Sequence, residues 1–238
     1  MIKHIPNTLT VLNLVSGFAA TIYAIKGYND YAAFCIMAGM ILDFSDGFAA
    51  RLLKAYSDIG KDLDSLADVV TFGIAPGAIV LNLLTSTGLG FAAAFAVATL
   101  IPVASALRLA KFNNDTTQST SFRGLATPGS AFIVVSVIIA SAYTDYPIFN
   151  TLTGSPWFTG LMSLFLAVMM LINTRMFSLK FSSLGWKGNE ERWLFAGVIV
   201  LLLLIFRLAS LPMIMAAYII ISVVFNLFGN REASSSGA

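Results

Sequence analysis

This sequence has almost none of the residues on which several common kinds of active site depend. It contains one cysteine, Cys35, and one histidine, His4. A single cysteine excludes a disulfide within the chain, and the two residues together are too few for a Cys/His zinc cluster. A Ser-His-Asp triad would have to use His4, at the very start of the sequence, so we do not expect that kind of nucleophilic catalysis.

Charged residues are also scarce. They make up 11% of the 238 residues, whereas 58% are hydrophobic and the mean hydropathy is +0.84. A soluble domain of this length would carry about 25% charged residues, because it must cover its surface with polar groups. The composition therefore predicts an integral membrane protein.

Long apolar stretches recur along the chain and are separated by turns rich in Gly, Pro, Asn and Asp. They predict an all-α polytopic bundle of about eight transmembrane helices, with six or seven as the alternatives. The predicted segments are 8–26, 31–53, 63–86, 89–111, 129–143, 157–174, 193–208 and 211–228. We interpret residues 1–228 as a single transmembrane catalytic domain and residues 229–238 as a polar C-terminal tail.

The lysines and arginines fall mainly on one side of such a bundle. If the N-terminus is cytoplasmic and eight helices alternate, 12 of the 14 lie on or near the cytoplasmic side, and only Lys26 and Arg207 do not. Positive residues favour the cytoplasmic side of a membrane protein. The distribution therefore predicts that both termini are cytoplasmic and that the protein lies in the cytoplasmic membrane.

Acidic residues, in contrast, concentrate in one short hairpin, residues 40–72. Asp43 and Asp46 lie one helical turn apart on the second predicted helix, on one stripe with Gly47 and Ala50. The third predicted helix carries Lys61, Asp64, Asp68 and Thr71 on one stripe. The intervening turn is short, so we expect antiparallel neighbours whose carboxylates meet in the cytoplasmic half of the bilayer.

Four carboxylates at membrane depth need partners that neutralise their charge, because inserting each one into the membrane costs at least about 2.5–3.5 kcal/mol on insertion scales. A lone aspartate often pairs with an arginine or a backbone group, but four on facing stripes favour a divalent cation. Hard oxygen ligands suit Mg²⁺ or Mn²⁺, and two such ions sharing carboxylates are typical of phosphoryl chemistry. Acidic residues alone would also fit a cation-coupled transporter, although transporter sites are expected near the bilayer midplane.

The hairpin also matches a family signature, D-x2-D-G-x2-A-R-x8-G-x3-D-x3-D. Residues 43–68 meet it without deviation through Asp43, Asp46, Gly47, Ala50, Arg51, Gly60, Asp64 and Asp68. In this stretch the chain resembles the CDP-alcohol phosphotransferase family. The resemblance implies that the four aspartates hold two divalent ions and that Asp68 is also the general base. It further implies that the remaining four motif residues line the CDP site, although the small ones among them could equally serve helix packing.

Two further stretches resemble the phosphatidylserine synthase branch of this family. Residues 5–18 match its "PN-x-LT-x2-N" opening through Pro6, Asn7, Leu9, Thr10 and Asn13. Residues 108–132 match its "RLARFN…F-x-GLPTPAAA" region, with Lys111 in place of an arginine and Ala126 in place of a proline. Asn7 and Asn13 could contact the nucleotide or cap the first helix. The C-terminal third resembles the branch only in hydropathy, as two helices added to a six-helix family core.

The resemblance implies a metal-dependent transfer of the phosphatidyl group from CDP-diacylglycerol to L-serine, giving phosphatidylserine or an archaeal analogue and CMP. The candidate residues for serine or a lipid headgroup are Arg108, Lys111, Asn113 and Arg123. The expected partners are CDP-diacylglycerol, L-serine, membrane lipids and a second copy of the chain, with no nucleic acid. Glycerol 3-phosphate or inositol phosphate is the alternative acceptor, and such acceptors would favour a denser Arg/Lys cluster near Asp68.

Overall fold

The computed structural model describes residues 4–55, 57–114, 124–172, 174 and 189–235, without the side chains of Glu191 and residues 226–235. Within these ranges the chain is helical and contains no strand. The helices are α1 (Ile5–Ile25), α2 (Asn29–Leu52), α3 (Asp58–Asp68), α4 (Ala75–Ser86), α5 (Phe91–Ala98), α6 (Leu100–Asn114), α7 (Thr127–Tyr143), α8 (Pro147–Thr153), α9 (Pro156–Leu171), α10 (Glu190–Phe206) and α11 (Ser210–Ser235). A π-helical segment (Val69–Ile74) joins α3 to α4, and a 3₁₀ turn (Arg207–Ala209) joins α10 to α11.

The prediction of an all-α integral membrane protein is confirmed. Within the described residues, five helical stretches are long and apolar enough to cross a membrane, or six if the pair α8–α9, bent by 76°, is one broken span. Large apolar side chains cover their outer surfaces, as shown by Leu204, which is 78% exposed. An extensive apolar surface of this kind, on helices of this length, is typical of contact with lipid. The number of crossings and the orientation of the termini stay predictions.

The C-terminal helices α10 and α11 fold back on each other. The backbone reverses at Arg207, which has a φ of +48°, and the rings of Phe195 and Tyr218 lie 5.7 Å apart. In one straight helix these two residues would be separated by roughly 34 Å. The two helices therefore form an antiparallel hairpin, and α11 packs against α7. It also extends as helix into the stretch predicted to be a polar tail.

Helix α1 is the centre of the N-terminal half, because it packs against α2, α3, the π segment and α4. Small residues allow this close approach. A Cβ atom added to Gly17 would lie 2.2 Å from Thr71 Oγ1, and one added to Gly39 would lie 2.5 Å from Thr71 Cγ2. The Thr71 hydroxyl donates a 3.0 Å hydrogen bond to the carbonyl oxygen of Asn13. Three segments thus meet at one fully buried threonine.

Gly17→Ala is expected to destabilise the protein by about 1–3 kcal/mol, the usual cost of an overpacked core. The new methyl would also lie 2.6 Å from the Thr71 Cα atom, so backbone would have to move. The measurement is the thermal unfolding midpoint in detergent. Gly197→Ala in α10 is the matched control, because a Cβ there meets nothing within 4 Å. Equal midpoints for the two variants would contradict this description of the packing.

The helical rod from Asp58 to Ser86 carries two of the predicted site aspartates. It begins at Ser57, whose hydroxyl accepts a 3.0 Å hydrogen bond from the backbone N–H of Gly60 and so caps α3. The π segment starts directly after Asp68. Because a π turn contains more residues than an α turn, it changes the direction of every side chain that follows. Thr71 consequently faces α1 and does not share the face of the aspartates, contrary to the predicted stripe.

The residues that begin α7 are fixed by the end of α9. The backbone N–H of Gly124 donates to the carbonyl of Thr174 at 2.9 Å, and that of Leu125 donates to Met169 at 2.8 Å. Gly124 has a φ of +74°, and a Cβ atom there would lie 2.8 Å from the carbonyl oxygens of Met170 and Ile172. Only glycine fits such a position. The segment that follows is thereby held at the mouth of the cavity described next.

Candidate active site

Three of the four motif aspartates, from α2 and α3, converge in the structure. Asp43 comes from α2, and Asp64 and Asp68 come from α3. One carboxylate oxygen from each lies within 4.8 Å of those from the other two. Residues one helical turn apart share a face, so the i, i+4 spacing of the α3 pair directs both carboxylates toward α2.

The fourth aspartate, Asp46, lies beside this group and is 6% exposed. Its Oδ2 accepts a 2.6 Å hydrogen bond from the hydroxyl of Thr10 on α1. The same hydroxyl lies 3.0 Å from the carbonyl oxygen of Pro6, one turn earlier on α1. Helix α1 thereby fixes the orientation of Asp46 from the side opposite α3, and a hydrogen bond to a charged group is worth about 1.5–3 kcal/mol.

The aspartates line a cavity of about 640 Å³. This volume lies within the range expected of a site for a small molecule or cofactor. Residues from α1, α2, α3, α6 and the start of α7 line it. They are Pro6, Asn7, Thr10, Asp43, Phe44, Asp46, Gly47, Ala50, Arg51, Ala55, Ser57, Gly60, Lys61, Asp64, Ser65, Asp68, Arg108, Leu109, Phe112, Asn113, Ala126, Thr127 and Pro128.

Helices α2 and α3 enclose this cavity and do not pack against each other as expected for antiparallel neighbours. Helix α1 packs against both α2 and α3. Helix α2 itself packs against the π segment and α4, which continue the chain from α3. The two acidic faces therefore border the cavity, where Asp43, Asp64 and Asp68 approach one another. The physical reason is that α1 packs against both helices and takes up the surface that they would otherwise share.

The structure shows which of two roles, lining the cavity or helix packing, each motif glycine serves. A Cβ atom at Gly47 would meet nothing within 4 Å, so helix packing does not require glycine there. A Cβ atom at Gly60 would lie 2.9 Å from Ser57 Oγ and 3.0 Å from Asn7 Oδ1. Glycine at position 60 therefore serves the α3 cap and the contact with Asn7, whereas at position 47 it leaves the cavity open.

The two asparagines of α1 have different positions. Asn7 lines the cavity beside α3. Asn13 is fully buried among α1, α2 and the π segment, away from the cavity. Neither caps α1, because the residue at the cap position is His4, which makes no side-chain capping hydrogen bond. Arg51, in the last turn of α2, also lines the cavity and has an exposed side chain.

Only some of the four candidate residues for binding serine or a lipid headgroup line the cavity. Arg108 and Asn113, both on α6, line the cavity, whereas Lys111 lies on α6 but not among the lining residues. Arg123 lies outside the described residues. The Asn113 side chain donates a 2.8 Å hydrogen bond to Ser65 Oγ, and its carbonyl accepts one of 3.2 Å from Lys61 Nζ. Asn113 therefore ties the end of α6 to α3 at the cavity wall.

Several lining residues carry no site role in the sequence analysis. They include Thr10, Lys61, Ser65, Thr127 and Pro128. Threonine in a membrane helix usually bonds to its own backbone, so the residue type of Thr10 alone does not indicate a bond to an aspartate. The one available signal was the similarity of residues 5–18 and 108–132 to a single enzyme branch, since both stretches reach the same cavity.

The donor set suits a divalent metal ion. Asp64 Oδ1 and Asp68 Oδ1 are buried and make no hydrogen bond to any described residue. Buried carboxylate oxygens need a partner, and three oxygens within 4.8 Å of one another can all reach one ion. Mg²⁺ and Mn²⁺ both prefer oxygen ligands of this kind. Three of the four predicted metal ligands therefore fit such an ion.

Comparison with known proteins identifies several relatives that share one description, CDP-diacylglycerol–serine O-phosphatidyltransferase. The Bacillus subtilis protein is 37% identical over 139 residues, which cover 56% of this chain and 76% of the relative. The Mycobacterium leprae protein is 35% identical over 145 residues, 58% of this chain and 47% of the relative. The Helicobacter pylori J99 protein is 32% identical over 230 residues, 94% of this chain and 91% of the relative.

The family profile of CDP-alcohol phosphatidyltransferases matches residues 3–172. This range contains the complete acidic hairpin, α1, α6 and the start of α7, and thus every helix that lines the cavity. The resemblance stated from the sequence motifs is confirmed by this match and by the relatives. The chain belongs to the CDP-alcohol phosphatidyltransferase family.

Proposed function

We propose that this protein is a CDP-diacylglycerol–serine O-phosphatidyltransferase. The observation that carries the proposal is the convergence of Asp43, Asp64 and Asp68 in a cavity, in a chain whose relatives share that description over up to 94% of its length. The hydroxyl oxygen of L-serine forms a bond to the phosphorus that bears the diacylglycerol. The bond from that phosphorus to the oxygen of CMP breaks, so CMP leaves and phosphatidylserine is formed.

Asp43, Asp46, Asp64 and Asp68 would hold two divalent ions, Mg²⁺ or Mn²⁺. When bound, these ions supply positive charge that neutralises the diphosphate and the charge developing at the reacting phosphorus. Thr10 keeps Asp46 in a fixed orientation through its 2.6 Å hydrogen bond. Such second-sphere partners orient ligating carboxylates and tune the affinity of the site.

The donor nucleotide would occupy the part of the cavity next to Gly47, Ala50, Arg51, Gly60 and Asn7. Arg51 presents a planar guanidinium that can pair with phosphate oxygens. The absence of any atom within 4 Å of a Cβ position at Gly47 leaves room for a ligand against the α2 backbone. Phe44, which is 70% exposed and lines the cavity, marks an apolar opening toward the lipid.

Asp68 is the proposed general base. It is 8% exposed and takes the proton of the serine hydroxyl as the new bond forms. Arg108 would bind the serine carboxylate, because it lies on α6 and lines the same cavity as Asp68. Lys111, Asn113 and Arg123 are the weaker candidates for contact with serine or a lipid headgroup.

Gly47→Ala is expected to raise the KM for CDP-diacylglycerol by about tenfold, corresponding to about 1.4 kcal/mol, without lowering stability. The added methyl has free space in the protein, so only a ligand can collide with it. The measurement is initial CMP release at varied CDP-diacylglycerol, combined with a thermal unfolding midpoint. Gly197→Ala is again the matched control. An unchanged KM would remove Gly47 from the donor site.

The proposed setting is the cytoplasmic membrane, with the cavity facing the cytoplasm. The bias of lysine and arginine toward the cavity end of the bundle supports this orientation. CDP-diacylglycerol and other membrane lipids would reach the site from the bilayer, and L-serine from the water side. A second copy of the chain is the proposed partner, as the family resemblance implies.

An acceptor panel tests the proposed function. Purified protein with Mg²⁺ or Mn²⁺ is given CDP-diacylglycerol and one of L-serine, glycerol 3-phosphate or inositol phosphate, and CMP release is followed. We expect release with L-serine and not with the two phosphorylated acceptors. Release with a phosphorylated acceptor alone would reassign the acceptor. No release with any acceptor would contradict the enzyme proposal and return the acidic cluster to a cation-binding role.

A further inference from the structure

We propose that Asn113, near the end of α6, is a positioning residue for acceptor binding, because its hydrogen bonds to α3 hold Arg108 at the depth of Asp68. This inference rests on the proposed function, in which Asp68 is the general base and Arg108 binds the serine carboxylate. It gives Asn113 a role in the reaction that requires no direct contact between its side chain and serine.

Asn113 takes part in a closed ring of hydrogen bonds with two residues of α3. Its Nδ2 donates to Ser65 Oγ at 2.8 Å, and the Ser65 hydroxyl donates to the carbonyl oxygen of Lys61 at 3.2 Å. Lys61 Nζ then donates to the carbonyl oxygen of Asn113 at 3.2 Å. The ammonium group thus lies at the C-terminal end of α6, where the helix dipole favours a positive charge. Donors and acceptors follow one another around the ring, so the three residues support one another.

A buried contact fixes α6 on the other side of Arg108. Gly73, in the π segment, approaches α6 so closely that a Cβ atom added there would lie 3.0 Å from Ser105 Cβ. Ser105 is fully buried. The helical rod that carries the α3 aspartates therefore meets α6 at two places, this buried contact and the hydrogen-bonded ring.

The two contacts set the register of α6 against the rod. They lie eight residues apart on the rod and also eight apart on α6, in opposite chain order. The two segments therefore run antiparallel, and positions 69 and 109 lie midway between the contacts. Asp68 and Arg108 are each one residue from these midpoints, so their depths differ by only roughly 3 Å at a rise of 1.5 Å per residue. Both side chains line the cavity.

This register suits an acceptor of the size of serine, in which two carbon atoms separate the carboxylate from the hydroxyl. Arg108 holds the first group and Asp68 takes the proton of the second, so α6 must keep its position along the rod. The donor side differs, because Gly47 and Arg51 lie on α2, outside the ring. Loss of the ring should therefore weaken the binding of serine and leave the binding of CDP-diacylglycerol unchanged.

The test compares Asn113→Ala, Ser65→Ala and the double variant. We expect each single substitution to raise the KM for L-serine about three- to tenfold, the effect of losing one hydrogen bond between neutral groups. The double variant should show no larger rise than either single one, because both substitutions remove the same bond. The KM for CDP-diacylglycerol should stay within about twofold of the unmodified protein. Both KM values are measured by CMP release, at saturating concentration of the other substrate.

Asn114→Ala is the matched control. This neighbouring asparagine is exposed, and its side chain donates a 2.9 Å hydrogen bond to the carbonyl oxygen of Ala110 on its own helix. Its KM for serine should not change. A rise in Asn113→Ala that Ser65→Ala does not share would overturn the inference, because it would indicate direct contact between Asn113 and serine.

Two further results would also overturn it. One is an unchanged KM for serine in both single variants. The other is an equal rise in the KM values of both substrates, which would indicate a general loss of packing. Failure of the proposed function is recognised separately, because the unmodified protein would then release no CMP with serine.

Discussion

Replacing Asp68 by asparagine is expected to lower kcat with serine by a factor of roughly 10²–10⁴, the usual contribution of a general base. Asparagine has nearly the same shape, so the packing around this 8% exposed residue is preserved. The amide cannot accept the hydroxyl proton at neutral pH. The side chain would still offer an oxygen to an ion, so the loss should persist when Mg²⁺ or Mn²⁺ is raised.

Asp62→Asn is the control for this variant. It removes the same charge from the same helix, but Asp62 is exposed and does not line the cavity. Its kcat should remain within about twofold of the unmodified protein, as is usual for a surface substitution. Turnover retained in Asp68→Asn would remove the assignment of Asp68 as the base. A loss that excess metal restores would reassign it as a metal ligand only.

Asp64→Asn is expected to raise the metal concentration needed for half-maximal activity by at least about 10–100-fold, because even outer-sphere partners of a metal have effects of that size. Asp64 Oδ1 is buried without a hydrogen-bond partner among the described residues, so this oxygen is open to an ion. Loss of the charge should also lower the maximal rate. The measurement is CMP release as Mg²⁺ or Mn²⁺ is titrated into protein stripped with a chelator.

The control for this titration is Asp58→Asn, at the exposed first turn of α3. It should show the metal dependence of the unmodified protein. If the chelated protein remained active, or if Asp64→Asn required no more metal than Asp58→Asn, the assignment of the acidic cluster as a metal site would be wrong.

The acidic site could be predicted because its determinants are local. Asp43 and Asp46, and likewise Asp64 and Asp68, lie one turn apart on their helices, so helical geometry alone places each pair on one face. A short connection then brings the two faces together. The convergence of Asp43, Asp64 and Asp68 therefore follows from residues within one hairpin. The roles of these residues in metal binding and catalysis stay predictions.

The parts that could not be predicted depend on contacts between distant segments. Thr10 bonds to Asp46 across 36 positions of sequence, and nothing near Thr10 indicates its partner. Thr71 continues the 3.6-residue stripe of the aspartates in the sequence. The π segment that begins at Val69 turns it toward α1, and hydrophobic periodicity does not indicate a π turn.

The C-terminal third illustrates the same limit. Its sequence is apolar on nearly all sides, which predicts membrane helices but not what they contact. The ring contact between Phe195 and Tyr218 shows how the hairpin closes, and the packing of α11 against α7 shows where it meets the bundle. Neither contact is encoded in a motif, because each depends on the packed bundle.

The central claim, serine-dependent transfer of a phosphatidyl group at the aspartate cluster, is tested most directly by product stoichiometry. Purified protein is incubated with CDP-diacylglycerol, isotopically labelled L-serine and Mg²⁺ or Mn²⁺, and CMP and labelled lipid are quantified together. The account predicts one phosphatidylserine for each CMP, and neither product in the presence of chelator. CMP formed without labelled lipid, or labelled lipid formed by the chelated protein, would contradict it.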